Sequence, residues 1–138
     1  MEKQIESESS SNRLAKIKKV LVYGFLICFA FLFVAYLWAC LSIRAGVKEI
    51  SAEATKQYPG DMIEALIMYV KSEDHSLRQR NRAVWALGQI GDKRALPVLK
   101  QFYTGGPCDH DSRLCKGELQ KAIKLCQGSF NATAWLPR

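Results

Sequence analysis

The sequence of 138 residues predicts an all-α protein, with a single N-terminal transmembrane helix followed by a short domain of about two helical pairs. Two observations predict this class. Residues Val20–Ile43 form an apolar run without a charged side chain. Residues 82–102 contain two successive apolar patterns with helical spacing, separated by Gly91-Asp92. Each pattern gives one apolar stripe on a helix, and each stripe needs a neighbouring helix to cover it. Stacked helical pairs meet that need.

The apolar run Val20–Ile43 is the membrane anchor. At about 1.5 Å of rise per residue, it forms a helix long enough to cross a hydrocarbon core of about 30 Å. A cleaved signal peptide has an apolar region of only about 7–15 residues, and no Ala-x-Ala site follows this one. An alternative remains, because Leu37-Trp38-Ala39-Cys40 is similar to a bacterial lipoprotein box in which Cys40 would carry the lipid.

The charges beside the run predict its orientation. Four cations and no acid lie in residues 13–19, whereas the cations after the run are accompanied by Glu49 and Glu53. Lys and Arg accumulate on the cytoplasmic side of a membrane helix. We therefore predict a single-pass protein of the inner membrane. Residues 1–19 form a cytoplasmic tail, disordered through Asn12, residues 20–43 cross the membrane, and residues 44–138 are periplasmic.

Residues 44–59 form a juxtamembrane helix or linker. Val47, Ile50, Ala54 and Tyr58 make one narrow helical stripe. The segment either extends the transmembrane helix or folds back as a cap on the helices that follow. Pro59 then ends it, and the helical domain occupies residues 60–138.

Four helices are predicted in this domain, over residues 61–71, 77–90, 93–103 and 112–127. Ser76 caps the second helix, Gly91 ends it in a left-handed conformation, and Asp92 caps the third. The inward side chains of the first helix are Ile63, Leu66, Ile67 and Val70, and those of the last are Leu119, Ala122, Ile123 and Cys126. We expect Phe130, Trp135 and Leu136 of the tail to cover the far end of the stack.

One motif in this domain resembles a known family. Its residues are Arg80, Ala83, Ala86-Leu87-Gly88, Gly91-Asp92 and Ala95-Leu96-Pro97. This run resembles the HEAT-like repeat found in phycobilisome lyases and many bacterial proteins. The resemblance implies a scaffold that binds other proteins and brings no catalytic residue with it. It also implies a structural ion pair between Arg80 and an acid near the turn, either Asp92 or Asp61.

Four residues are candidates for protein binding. Arg78 and Arg82 share one helix face, and His75 and His110 hold equivalent loop positions on one edge of the stack. The alternative is that all four are solvated surface residues. We expect an envelope or membrane protein as the partner, lipid contact through the anchor, and no nucleic acid. Ala35 and Ala39 form a small-residue pair that would permit weak self-association.

The cysteines outside the membrane suggest a disulfide. Cys115 and Cys126 lie too far apart on one helix to bond to each other. Cys108 lies in the loop just before this helix, so Cys108–Cys115 is the first choice and Cys108–Cys126 the second. Oxidising compartments preserve such bonds. The alternative is a thiol- or metal-dependent envelope factor that uses Cys108, His110 and Cys115, although no Cys-x-x-Cys spacing supports zinc.

The sequence contains no catalytic signature. It has no Gly-rich phosphate loop and no Gly-x-Ser-x-Gly motif. We therefore predict that the protein is not an enzyme and that it needs no cofactor or resident metal. A subunit of a bilin lyase is a third hypothesis, by analogy with the family alone.

Overall fold

The computed structural model describes residues 2–105 and 114–131. These residues contain five α-helices and a 3₁₀ turn at Lys93–Ala95. The helices are α1 (Glu2–Gln57), α2 (Met62–Lys71), α3 (Leu77–Ile90), α4 (Leu96–Phe102) and α5 (Lys116–Cys126). Every regular element within this part of the chain is helical, which confirms the predicted all-α class. The chain divides into two compact units, residues 1–39 and 40–138.

The first unit is the N-terminal part of α1. The large apolar side chains of residues 20–34 are between 53% and 72% exposed. An apolar window of this helix has a mean hydropathy of 2.6, and none of it is buried. This helix is long and apolar enough to cross a membrane. Cys40, the alternative lipidation site, begins the second unit and is only 1% exposed.

Helix α1 also includes the residues that we expected to be a disordered tail. It begins at Glu2, so the prediction of disorder through Asn12 is wrong. That prediction considered composition alone. Residues attached to an existing helix avoid the cost of nucleating a new one, because each added residue fixes its backbone and gains a hydrogen bond.

Residues 40–57 of α1 belong to the second unit. Of the two arrangements considered for residues 44–59, the structure has the continuous helix. The predicted stripe is confirmed, because Ile50 and Ala54 are buried while Val47 and Tyr58 pack against the same core. The unit that holds the repeat helices therefore includes this segment.

Side-chain caps define the starts of α2 and α3. The Asp61 carboxylate accepts the N–H groups of Ile63 and Glu64, both at 2.9 Å. The Glu64 side chain accepts the Asp61 N–H in return. Ser76 and Gln79 form the same reciprocal box before α3, as the sequence predicts for Ser76. Such boxes satisfy donors that the first helical turn leaves unpaired.

The turn after α3 also agrees with the prediction. Gly91 has a φ of 71°, a left-handed conformation that costs glycine little, and its N–H donates to the Leu87 carbonyl. Asp92 then accepts the Arg94 N–H at 2.9 Å. The chain first makes the 3₁₀ turn and continues as α4, which has Pro97 in its first turn.

Helix α5 is shorter than predicted. It begins at Lys116, after Leu114 and Cys115 in non-helical conformation, whereas the predicted start at Ser112 lies outside the described residues. Its predicted inward face is confirmed. Leu119, Ala122 and Cys126 are buried, and Ile123 packs against the core.

One hydrophobic core holds the second unit together. Helix α3 packs against α2 and α5, and α4 packs against α5. Its largest fully buried side chains include Tyr69, Ile50, Leu66, Leu87, Leu99 and Leu119. Each buried Leu or Ile stabilises the fold by about 1.5–3 kcal/mol relative to exposure. Phe130 does not join this core. It is 91% exposed, so its predicted role as a cover is wrong, and Trp135 and Leu136 lie outside the described residues.

Candidate functional site

An open groove lies between α3 and α5 on the surface of the second unit. It has a volume of about 290 Å³ and mostly apolar walls. Gly88 of α3 and Ala122 of α5 both line it. A Cβ built on Gly88 would lie 2.8 Å from the Ala122 Cα, so the two helices approach closely only because residue 88 has no side chain. This close approach shapes the base of the groove.

Two aromatic side chains border the groove. Trp85 is partly buried, and its ring also lies against Gly46 of α1, where a Cβ would come within 3.1 Å of the ring. Phe130 follows α5 and is almost wholly exposed. A large apolar side chain gains free energy when it leaves water. Exposed aromatic rings beside an apolar groove are typical of protein interfaces.

The charged side chains of the groove carry an excess of positive charge. Lys121 forms an ion pair with Glu118, with 3.1 Å between Nζ and Oε1. Lys124 also lines the groove, and within the described part of the chain it makes no ion pair. Two lysines therefore face one glutamate. An anionic partner would meet one lysine that no described carboxylate already neutralises.

Of the predicted binding residues, Arg82 has a partner within the domain. Its guanidinium lies 2.5 Å from the Glu49 carboxylate, which ties α3 to α1. Both side chains are largely exposed, so the pair contributes at most about 1 kcal/mol. Arg78 is exposed on α3, and His110 lies outside the described residues. A binding role for Arg78, Arg82, His75 and His110 stays a prediction.

His75 belongs to an aromatic cluster. Its ring stacks on Tyr69 with 3.7 Å between centroids, and its Nε2 lies 3.1 Å from the Tyr58 hydroxyl. The Tyr69 hydroxyl donates to Glu53 of α1 at 2.7 Å. Burial, together with this carboxylate, raises the pKa of Tyr69. The interpretation of His75 as a solvated loop residue is therefore wrong, because the cluster joins the loop before α3 to α1 and α2.

The predicted ion pair between Arg80 and Asp92 is not formed. Arg80 Nε donates to the Val70 carbonyl at 2.8 Å, and its guanidinium lies over the Phe102 ring. The reason is geometric. Arg80 lies near the start of α3 and Asp92 lies beyond its end, which places them roughly 18 Å apart along the axis. Arg80 instead holds α3 against the end of α2.

The cation that contacts both turn acids is Arg94. Its guanidinium lies 2.6 Å from Asp61, the cap of α2, and 3.2 Å from Asp92, the cap of the 3₁₀ turn after α3. Backbone N–H groups and Arg94 lower the pKa of both carboxyls. The two carboxylates in turn raise the pKa of Arg94, and Asp61 has the larger effect. The sequence holds a signal for this bridge, since Gly60-Asp61 and Gly91-Asp92 are equivalent turns and Arg94 follows the second.

The structure describes Cys115 and Cys126 but not Cys108. Cys108 lies outside the described residues, so the Cys108–Cys115 disulfide, the second choice Cys108–Cys126 and the metal alternative stay predictions. Cys115 precedes α5, and its N–H donates to the Asn81 side chain at 2.8 Å. Cys126 is buried, and burial raises the pKa of its thiol to about 11. Among the described residues, no group of three His, Cys, Asp or Glu side chains could hold a metal ion.

The sequence did not predict the groove, although Ala122 and Phe130 were named for other roles. Gly88 was recognised as part of the repeat motif but not as a contact point. Trp85 carried a signal, because it interrupts an otherwise small or polar face of α3.

Residues 79–104, which include most of α3 and all of α4, match the family model described as PBS lyase HEAT-like repeat. No curated protein and no solved structure matches the chain. The chain thus contains a HEAT-like repeat within an all-α fold.

Proposed function

We propose that this protein is a membrane-anchored, non-catalytic scaffold that binds another envelope or membrane protein through its helical-repeat unit. Helix α1 holds it in the inner membrane through residues 20–43, with the N-terminus in the cytoplasm and the repeat unit in the periplasm. The exposed apolar side chains of residues 20–34 support the anchor. The cations before this run support the orientation.

The observation that carries the binding function is the groove between α3 and α5. It combines an apolar surface with a nearly fully exposed Phe130. A single exposed apolar residue is ordinary, but Phe130 continues an apolar groove, and a continuous apolar surface with an aromatic residue is typical of a binding site. A helical-repeat domain commonly binds its partners on such an extended surface between helices.

Photo-cross-linking in the native membrane tests the binding function. A photoreactive amino acid replaces Ser129, which is exposed and lines the groove. The control replaces Met68, which is 45% exposed on α2. We expect one discrete protein adduct from position 129 and none of that size from position 68. Phe130→Ala should reduce the adduct about fivefold or more, because an interface aromatic contributes over about 1 kcal/mol, while leaving thermal stability unchanged. Absence of any adduct from position 129 would refute the binding function.

Protease added to intact spheroplasts tests the orientation. If the repeat unit is periplasmic, external protease removes it and leaves a protected N-terminal fragment that contains residues 1–43. Digestion only after lysis would refute the periplasmic assignment without affecting the binding function.

A further inference from the structure

The groove between α3 and α5 also has a charge pattern that specifies the kind of partner it fits. We propose that it binds an acidic amphipathic helix of the partner protein, with an apolar side chain in the groove and a carboxylate beside Lys124. This inference rests on the proposed binding function and adds the chemistry of the ligand.

The size of the groove indicates a side chain rather than an extended apolar ligand. A volume of about 290 Å³ lies at the lower end of the range for small-molecule pockets, and it suits one or two large apolar side chains. Trp85 and Phe130 supply aromatic surface on which such side chains pack. Because the groove runs between two helices, a third helix can lie along it with one apolar face inward.

The positive charge at the groove favours an acidic partner segment over a basic one. Glu118 is already engaged by Lys121, so the described carboxylates leave the Lys124 ammonium uncompensated. Lys124 is exposed at the groove, and an acidic residue one helical turn from the inserted side chain would reach it. A basic segment would instead meet like charge. Complementary charges at the rim select partners in this way, although each exposed pair is individually weak.

Charge reversal in the cross-linking experiment tests the inference. Lys124→Glu, combined with the photoreactive residue at position 129, should lower the yield of the partner adduct about threefold or more. The matched control is Lys100→Glu, since Lys100 is exposed and lies in the last turn of α4 just as Lys124 lies in the last turn of α5. Both changes place an acid at a helix C-terminus and have the same effect on the helix dipole. The control should leave the yield unchanged.

Sequencing of the cross-linked partner peptide completes the test. The inference predicts an apolar attachment site with Asp or Glu within four residues and a net negative charge. A partner peptide that is neutral or basic, or equal sensitivity to the two lysine changes, overturns the inference and leaves the binding function intact. An adduct formed only with lipid, with a second copy of this chain or with its own residues 132–138 overturns both.

Discussion

Adding a single methyl group at Gly88 tests whether contact between α3 and α5 shapes the domain. In Gly88→Ala, the new Cβ would lie 2.8 Å from the Cα and 2.9 Å from the Cβ of Ala122. The obstructing Cα is backbone, so α5 must move. Overpacking of this kind costs about 1–3 kcal/mol, and the better helix propensity of alanine returns about 1 kcal/mol. We expect a net loss of about 1 kcal/mol and a fall in Tm of about 4–8 °C.

Gly117→Ala is the matched control for the gain in helix propensity. Gly117 lies in α5, and among the described residues a Cβ there would meet only the Cys115 sulfur, at 3.8 Å. The assay is thermal unfolding of the full chain in detergent micelles, followed by circular dichroism at 222 nm. Gly117→Ala should unfold at or above the temperature of the unsubstituted protein. If Gly88→Ala is equally stable, the reasoning about this contact fails.

A second change at the same contact refines the test. Ala122→Gly in the Gly88→Ala background removes the Cβ contact but leaves the approach to the Cα. The new glycine in α5 also gives up about 1 kcal/mol of helix propensity. We therefore expect at most partial recovery of the lost Tm. Complete recovery would show that the helices yield more easily than the distances indicate.

Three further predictions concern other parts of the second unit. The thiol of Cys126 is buried and has a pKa of about 11, so it should resist iodoacetamide in the folded protein at pH 8. Mass spectrometry should show alkylation once urea unfolds the protein. Rapid alkylation of the folded protein would contradict its burial. The pKa of Asp61 is lowered in the folded state, so its contribution to stability is present above its unfolded value, near pH 4, and is lost as the pH falls through the folded value. The Glu64 N–H, the largest cause of this lowering, remains in Arg94→Ala, so the variant should reduce the fall in Tm between pH 5 and pH 3 only in part. An unchanged slope would show that Arg94 has no share in it. Tyr69→Phe removes the hydrogen bond to Glu53 and should cost about 1–2 kcal/mol in thermal unfolding, whereas a variant as stable as the parent would show that this bond contributes nothing.

The helices were predictable because their signals are local. Ser76 and Gly91 mark both ends of α3 through hydrogen bonds within a few residues, and the structure has the helix where those residues place it. The apolar stripes likewise report which side of each helix is buried. In α3, the apolar stripe predicted from the sequence includes Ala83, Ala86 and Leu87, and all three are buried in the structure.

The contacts between helices were less predictable. Choosing a partner for Arg80 requires knowledge of which end of α3 lies beside which neighbour, and the family resemblance suggested an acid at the wrong end. Arg94 was overlooked because Asp61 lies 33 positions earlier in the chain. The groove depends on the separation of α3 and α5, a quantity that periodicity does not contain. Its Phe130 was misassigned because phenylalanine is more often buried than exposed, and composition does not show where the exception lies.

The place of Ile50 and Ala54 in the core has a practical consequence for anyone who wishes to produce the second unit alone by recombinant expression. A truncation at residue 60, just before α2, would delete two side chains that are 1% and 0% exposed. It would also remove Glu53 and Tyr58 from beside Tyr69 and His75. Such a product would expose an apolar surface that α1 normally covers, and it would tend to aggregate. A useful start site must retain the final turns of α1.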